Sequence, residues 1–91
     1  MSKTFSKKPC IQNKSIINNA HEGSILSIKI LSNGNLISSS RDKHIKIWHN
    51  NFCVFDVSAH SDTIRCLELL PNKSMASGSA DGSIKIWLGF S

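Results

Sequence analysis

Residues 38–48 read SSSRDKHIKIW, and residues 77–87 read SGSADGSIKIW. The second string begins 77 − 38 = 39 residues after the first, and the register runs on past both without a gap. His21 falls on His60, Ile25 on Ile64, Leu31 on Leu70, Asn33 on Asn72, Asp42 on Asp81 and Trp48 on Trp87. Self-similarity at a fixed period of this size marks a repeat architecture, in which each unit buries its apolar face on its neighbour. Within the units the signal is β. The first holds four strand-like runs at 25–31, 36–40, 44–48 and 52–57, broken at Ser32-Asn33-Gly34, Arg41-Asp42-Lys43 and His49-Asn50-Asn51. Alternation at Ile28/Ile30 and Ile45/Ile47 is the period-2 pattern of half-buried strands. The second unit repeats three runs, at 64–70, 74–79 and 83–87, with turns at Pro71-Asn72-Lys73 and Asp81-Gly82. Leu88-Gly89-Phe90-Ser91 stands where its fourth run is expected.

From Ala20 to Trp87 the chain resembles the WD-repeat (tryptophan–aspartate repeat) family, on the strength of Ser-x-Ser-x-Asp-x-x-Ile-Lys-Ile-Trp occurring twice in register. The family's Gly-His entry pair appears as Ala20-His21 and Ala59-His60, and its closing Trp-Asp as Trp48-His49 and Trp87-Leu88. The resemblance implies an all-β fold: two antiparallel four-stranded blades of a WD-repeat β-propeller, an incomplete ring whose second blade lacks its outer strand. Residues 1–19 read as a basic tail, 20–58 as the first repeat and 59–91 as the second. Shifting 52–57 back by one repeat lands on 13–18, the expected outer strand of a preceding blade.

Length constrains this reading. Two repeats take 2 × 39 = 78 of the 91 residues, whereas propellers close at about 4–8 blades. Either the chain is a fragment of a larger propeller, or it assembles with other chains through its open blade edges. In the second case three or four copies supply six or eight blades.

The net charge of +5 sits mostly in the tail, where Lys3, Lys7, Lys8 and Lys14 meet no acidic residue. The repeats are close to neutral. A solvated tail is the plain reading, and a nucleic-acid contact the sharper alternative; no aromatic beyond Phe5 interleaves with these lysines, so a base-stacking platform has little support. Cys10, Cys53 and Cys66 form neither CxxC pairs nor an even set, which predicts neither a zinc knuckle nor a disulfide framework. MSKTFSKKPC lacks an apolar run, and no stretch reaches membrane-spanning length. A reducing compartment is expected, the cytoplasm or the nucleus, with no membrane association. The triplets Asn13-Lys14-Ser15 and Asn72-Lys73-Ser74 are then chance matches to a glycosylation acceptor.

Each repeat carries the residue types of a hydrolase triad: His21, Ser38 and Asp42, then His60, Ser77 and Asp81. A triad needs an exposed nucleophile, an oxyanion site and a cleft. No Gly-x-Ser-x-Gly elbow is present, and duplication at the repeat period with a tryptophan in step suits a structural device far better. By resemblance, His bridges Asp and Ser, and Ser reaches the indole of Trp48 or Trp87. His44 and His49 have no third ligand nearby and read as solvated, so no metal is expected; Gly78 to Ser83 lacks the Gly-Lys-Ser/Thr ending of a phosphate loop. No cofactor or small-molecule substrate is implied. The resemblance points instead to non-catalytic scaffolding between proteins, with partner contacts at Ser24, Leu26 and Arg41 in the first repeat and Thr63, Arg65 and Ala80 in the second. Arg41 and Arg65 are the chain's only arginines, and an acidic or phosphorylated segment suits them.

Overall fold

A computed structural model of the chain describes residues 10–89. It holds seven strands: β1 Ile25–Ile30, β2 Leu36–Ser40, β3 His44–His49, β4 Phe52–Ser58, β5 Ile64–Leu70, β6 Ser74–Ser79 and β7 Ile84–Trp87. Within each sheet neighbours in sequence pair antiparallel, giving a four-stranded sheet β1-β2-β3-β4 and a three-stranded sheet β5-β6-β7. Three of the seven strands have the boundaries expected from sequence. The others shift by one residue, for local reasons. Leu31 leaves β1 because its N–H donates to Asn35 O at 2.8 Å and its carbonyl accepts from Gly34 at 2.9 Å, closing the turn. Ser83 stays just outside β7, its N–H donating to the Asp81 carboxylate at 2.8 Å.

The β2–β3 turn shows why the Asp position recurs. Lys43 N–H donates to Ser40 O at 3.2 Å, Asp42 N–H donates to Ser40 Oγ at 3.0 Å, and Lys43 takes φ +76°. This is a three-residue hairpin loop with a left-handed third residue. The equivalent of Lys43 is Gly82, which takes φ +88° without a Cβ penalty.

Side chains alternate across each sheet, so each blade has two faces. Ile37, Ile45 and Ile47 of the first blade join Ile64, Leu67 and Met75 of the second in one buried cluster, with Leu31 and Ala59 at its margin. The blades are stacked face to face, and this contact is the core of the chain.

Residues 13–18, expected as the outer strand of a preceding blade, are not a strand here: no edge of such a blade lies beside them among the described residues, and a strand without a ladder leaves its backbone unpaired. The segment lies instead against the first blade, where Ser15 Oγ approaches Asn51 Oδ1 at 3.5 Å. His44 and His49 are in contact with solvent and each is also hydrogen-bonded, His44 Nδ1 to Asp56 Oδ1 at 2.6 Å and His49 Nδ1 to Asn35 Oδ1 at 2.8 Å. Lys3, Lys7 and Lys8 of the basic tail lie outside the described residues, while Lys14 is exposed. Among the described residues no helix is long and apolar enough to cross a membrane.

Truncating the shared core should be costly. Ile45→Ala, at a fully buried position, is expected to lower the unfolding free energy by about 2–5 kcal/mol in urea titrations. Phe52→Ala, on the exposed end of β4, is expected to change it by less than about 0.5 kcal/mol.

Candidate functional site

The entry loop of each blade is tied to its middle strands by a chain of side-chain hydrogen bonds. In the first blade Trp48 Nε1–H donates to Ser38 Oγ at 2.9 Å, Ser38 Oγ lies 2.7 Å from His21 Nε2, and His21 Nδ1 lies 2.8 Å from Asp42 Oδ2. One proton arrangement satisfies all of them: the Ser38 hydroxyl donates to Nε2, and Nδ1–H donates to the carboxylate. Asp42 also accepts the backbone N–H of Glu22 at 3.0 Å and of His44 at 2.9 Å. The second blade repeats the arrangement, with Trp87 to Ser77 at 2.9 Å, Ser77 to His60 at 2.8 Å and His60 to Asp81 at 3.1 Å. Asp81 accepts the backbone N–H groups of Ser61 and Ser83 at 3.2 and 2.8 Å.

The copies differ where Glu22 is replaced by Ser61, whose hydroxyl adds a bond to Asp81 Oδ2 at 3.4 Å, and more strongly at one further position. Where the first blade has His44, the second has Ser83, whose hydroxyl bonds Asp81 Oδ1 at 2.6 Å and lies 3.1 Å from His60 Nδ1. This hydroxyl is the foremost cause holding the Asp81 carboxyl well below the ordinary carboxylate range, against some desolvation and with help from the Ser83 and Ser61 N–H groups and the His60 ring. For Asp42, burial alone pushes the carboxyl up. The His44 N–H, the His21 side chain and the Glu22 N–H outweigh it and hold the group below its usual value.

Reading by residue type missed two members of this assembly. Lys46 Nζ donates to Ala20 O at 2.8 Å and stands 5.9 Å from the centre of the Trp48 ring, and Lys85 Nζ donates to Ala59 O at 2.7 Å. Each lysine clamps the residue before the histidine. Ser40 and Ser79 accept the Asp42 and Asp81 N–H groups at 3.0 Å each and so shape the turns. The signal for both was present in the duplicated strings, where lysine and the second serine recur with the other members.

The geometry speaks against a nucleophilic serine. Ser38 and Ser77 are only 4% and 1% exposed, and each Oγ already accepts an indole N–H while bonding histidine.

The six residues expected at a partner-binding rim fall into two equivalent sets. Arg41 N–H donates to Ser24 O at 3.0 Å, and Ala80 N–H donates to Thr63 O at 2.9 Å. Leu26 and Arg65 each occupy a β-bulge, skipped in the pairing of β1 with β2 and of β5 with β6. A bulge re-aims the side chain it carries, and here it does so at the strand end beside the other two residues of the set. Five of the six are exposed and Thr63 is half-buried. The bulges themselves were not foreseen.

The sequence profile of the WD domain, G-beta repeat (WD40) matches residues 12–49 and 51–87. The chain belongs to the WD-repeat family. The family unit is offset by one strand from the sheets, since the second match opens on the outer strand β4 of the first blade. The first match opens one full repeat earlier, at residue 12, which puts 12–18 in register with that strand. Among solved structures, the chain is similar to the computationally designed Ika4 protein, with a TM-score of 0.72 and 23% identity over 87% of this chain and 49% of that one. It also resembles the WD40 β-propeller domain of Doa1 (TM-score 0.70, 26% identity, 75% of this chain and 24% of that one). A third similar structure is the computationally designed Ika8 protein (TM-score 0.65, 25% identity, 76% and 22%). The chain thus spans about half of the first of these structures and a quarter or less of the others. No curated protein matches it in sequence.

Removing the central hydroxyl should leave two groups unpartnered. Ser77→Ala is expected to cost about 1–3 kcal/mol of stability by urea titration at fixed protein concentration, because the Trp87 N–H and the His60 ring stay buried. The lowered carboxyls predict acid sensitivity of definite sign. Unfolded aspartates take up protons below about pH 4, while folded Asp42 and Asp81 resist protonation, so stability is full above that pH and falls as acid is added. Urea titrations from pH 6 downward should show this decline, and Asp42→Asn with Asp81→Asn should flatten it.

Proposed function

We propose that the chain serves as a non-catalytic surface for binding other proteins, and that it engages an acidic or phosphorylated segment through Arg41 and Arg65. The observation that carries this reading is the pair of equivalent rims, Ser24/Leu26/Arg41 and Thr63/Arg65/Ala80, each fixed by a backbone bond and a bulge, with every residue but Thr63 exposed. A rigid strand end displays a side chain with little ordering cost on binding. Arginine suits carboxylate or phosphate because its planar fork donates two parallel hydrogen bonds, and exposed Lys43 adds charge of the same sign beside Arg41. The buried serines support the non-catalytic half of the proposal. Cys10, Cys53 and Cys66 are free and exposed, which suits a compartment where thiols stay reduced, the cytoplasm first and the nucleus second.

The test is fluorescence anisotropy with a panel of labelled acidic and phosphoserine peptides. Arg41→Glu with Arg65→Glu is expected to weaken the best binder at least tenfold, and added salt to weaken the native complex. Binding that ignores both substitutions refutes the arginine rim. Ester hydrolysis lost on Ser77→Ala would overturn the non-catalytic reading.

A further inference from the structure

The two outer faces of this stack, the leading one partly overlaid by residues 15–20, are copies of the two faces that meet inside it. Ile45 and Ile47, in the buried cluster, recur one repeat later as Ile84 and Ile86, and Ile84 is 74% exposed where Ile45 is 0%. The relation also holds in the other direction. Ile64, Leu67 and Met75 are buried, whereas their counterparts Ile25, Ile28 and Leu36 are exposed, Ile28 by 56% against 2% for Leu67. The second blade therefore shows to solvent the trailing face that the first blade turns toward it. The first blade shows the leading face that the second turns back.

We propose that a second copy of this chain docks on these faces head to tail, seating Ile25, Ile28 and Leu36 of one copy on Ile84 and Ile86 of another. Each junction between copies then repeats the junction inside a copy. Such a heterologous contact closes when the rotation per unit suits, and three or four copies give six or eight blades, within the range of about 4–8.

Charge supports a copy of this same chain as the occupant. Lys29 and Glu68 are equivalent residues, one repeat apart, and they meet across the two blades at 3.9 Å. At a junction between copies, Glu68 of the trailing blade faces Lys29 of the next leading blade. The signs alternate around the whole ring, and every junction is complementary. The pair is too exposed to supply much affinity, but it penalises like-charged neighbours.

The open sheet edge agrees. Among the described residues β7 has no strand on its outer side. The β3–β4 register sets Ile47 opposite Phe55 and Trp48 opposite Cys53. Moved by one repeat, the same register sets Ile86 of one copy opposite Ile16 of the next, and Trp87 opposite Lys14. The donor segment already stands where this needs it. Ser15 and Ile17 line a cavity of about 260 Å³ with Trp48 and Leu36, as Val54 and Phe55 of β4 line one of about 400 Å³ with Trp87.

Light scattering coupled to gel filtration of the full chain tests this. The unsubstituted 91-residue chain is expected at three or four times its 10.0 kDa mass. Ile28→Glu removes the leading face and Ile86→Glu the trailing face, each at an exposed side chain, and each alone should give monomer. Mixed in equal amounts they should form a dimer, since one intact face of each kind remains. Should circular dichroism show either variant unfolded, Ile30→Lys and Ile84→Lys replace them with the same expected readout. A native monomer, variants that never combine, or polydisperse aggregates unchanged by either substitution would overturn the proposal.

Discussion

Face-to-face packing of two sheets is the constraint on which the rest of this structure depends. A sheet of three or four short strands has two faces and cannot cover either by itself. Here the trailing face of the first blade meets the leading face of the second, and the fully buried isoleucines, Leu67 and Met75 lie at that junction. Hydrophobic burial holds the blades together without dictating their orientation. Orientation has to come from directional bonds, and these are concentrated where each blade is entered.

The two hydrogen-bonded sets provide that direction. Each fastens the loop before a blade to its second and third strands, through a serine that accepts from tryptophan and bonds histidine. Because both sets use the same residues at nearly the same distances, the two blades are built alike, and stacking can repeat with one geometry. The two sets differ in position but not in how well the histidine is covered. The second lies on the face pressed against the first blade and the first on the outer leading face, yet the side chains of His21 and His60 are both out of solvent. At about 1 kcal/mol net per bond, each set contributes less than the apolar junction, and its larger effect is on shape.

Much of this was legible from the chain because turns are chemically explicit. Asn33-Gly34, Asp42-Lys43 and Asp81-Gly82 locate the hairpins, and the strands follow to within a residue. The network members were legible because their types recur in step. The bulges at Leu26 and Arg65 were not, since a skipped pair in a backbone ladder leaves no mark in composition, and the two bulged residues share no side-chain property. Nor was the state of residues 13–18 legible. Their register with β4 is visible in the sequence, but whether they form a strand depends on a partner edge that lies elsewhere.

Ile-Lys-Ile-Trp at 45–48 and again at 84–87 shows where local reasoning ends. The four residues are identical, the backbone is a strand both times, and the tryptophan hydrogen-bonds a serine at 2.9 Å in both. Yet the isoleucines are core in one copy and surface in the other. Period-2 alternation states that a face is apolar, not that anything covers it. Cover is a property of the neighbour, and in a repeat the best-matched neighbour for any face is the one already seen at the equivalent junction. An apolar face whose in-register twin is fully buried is therefore a different object from a patch of scattered surface hydrophobes. Its complement is already specified in kind by the apolar set that covers its twin.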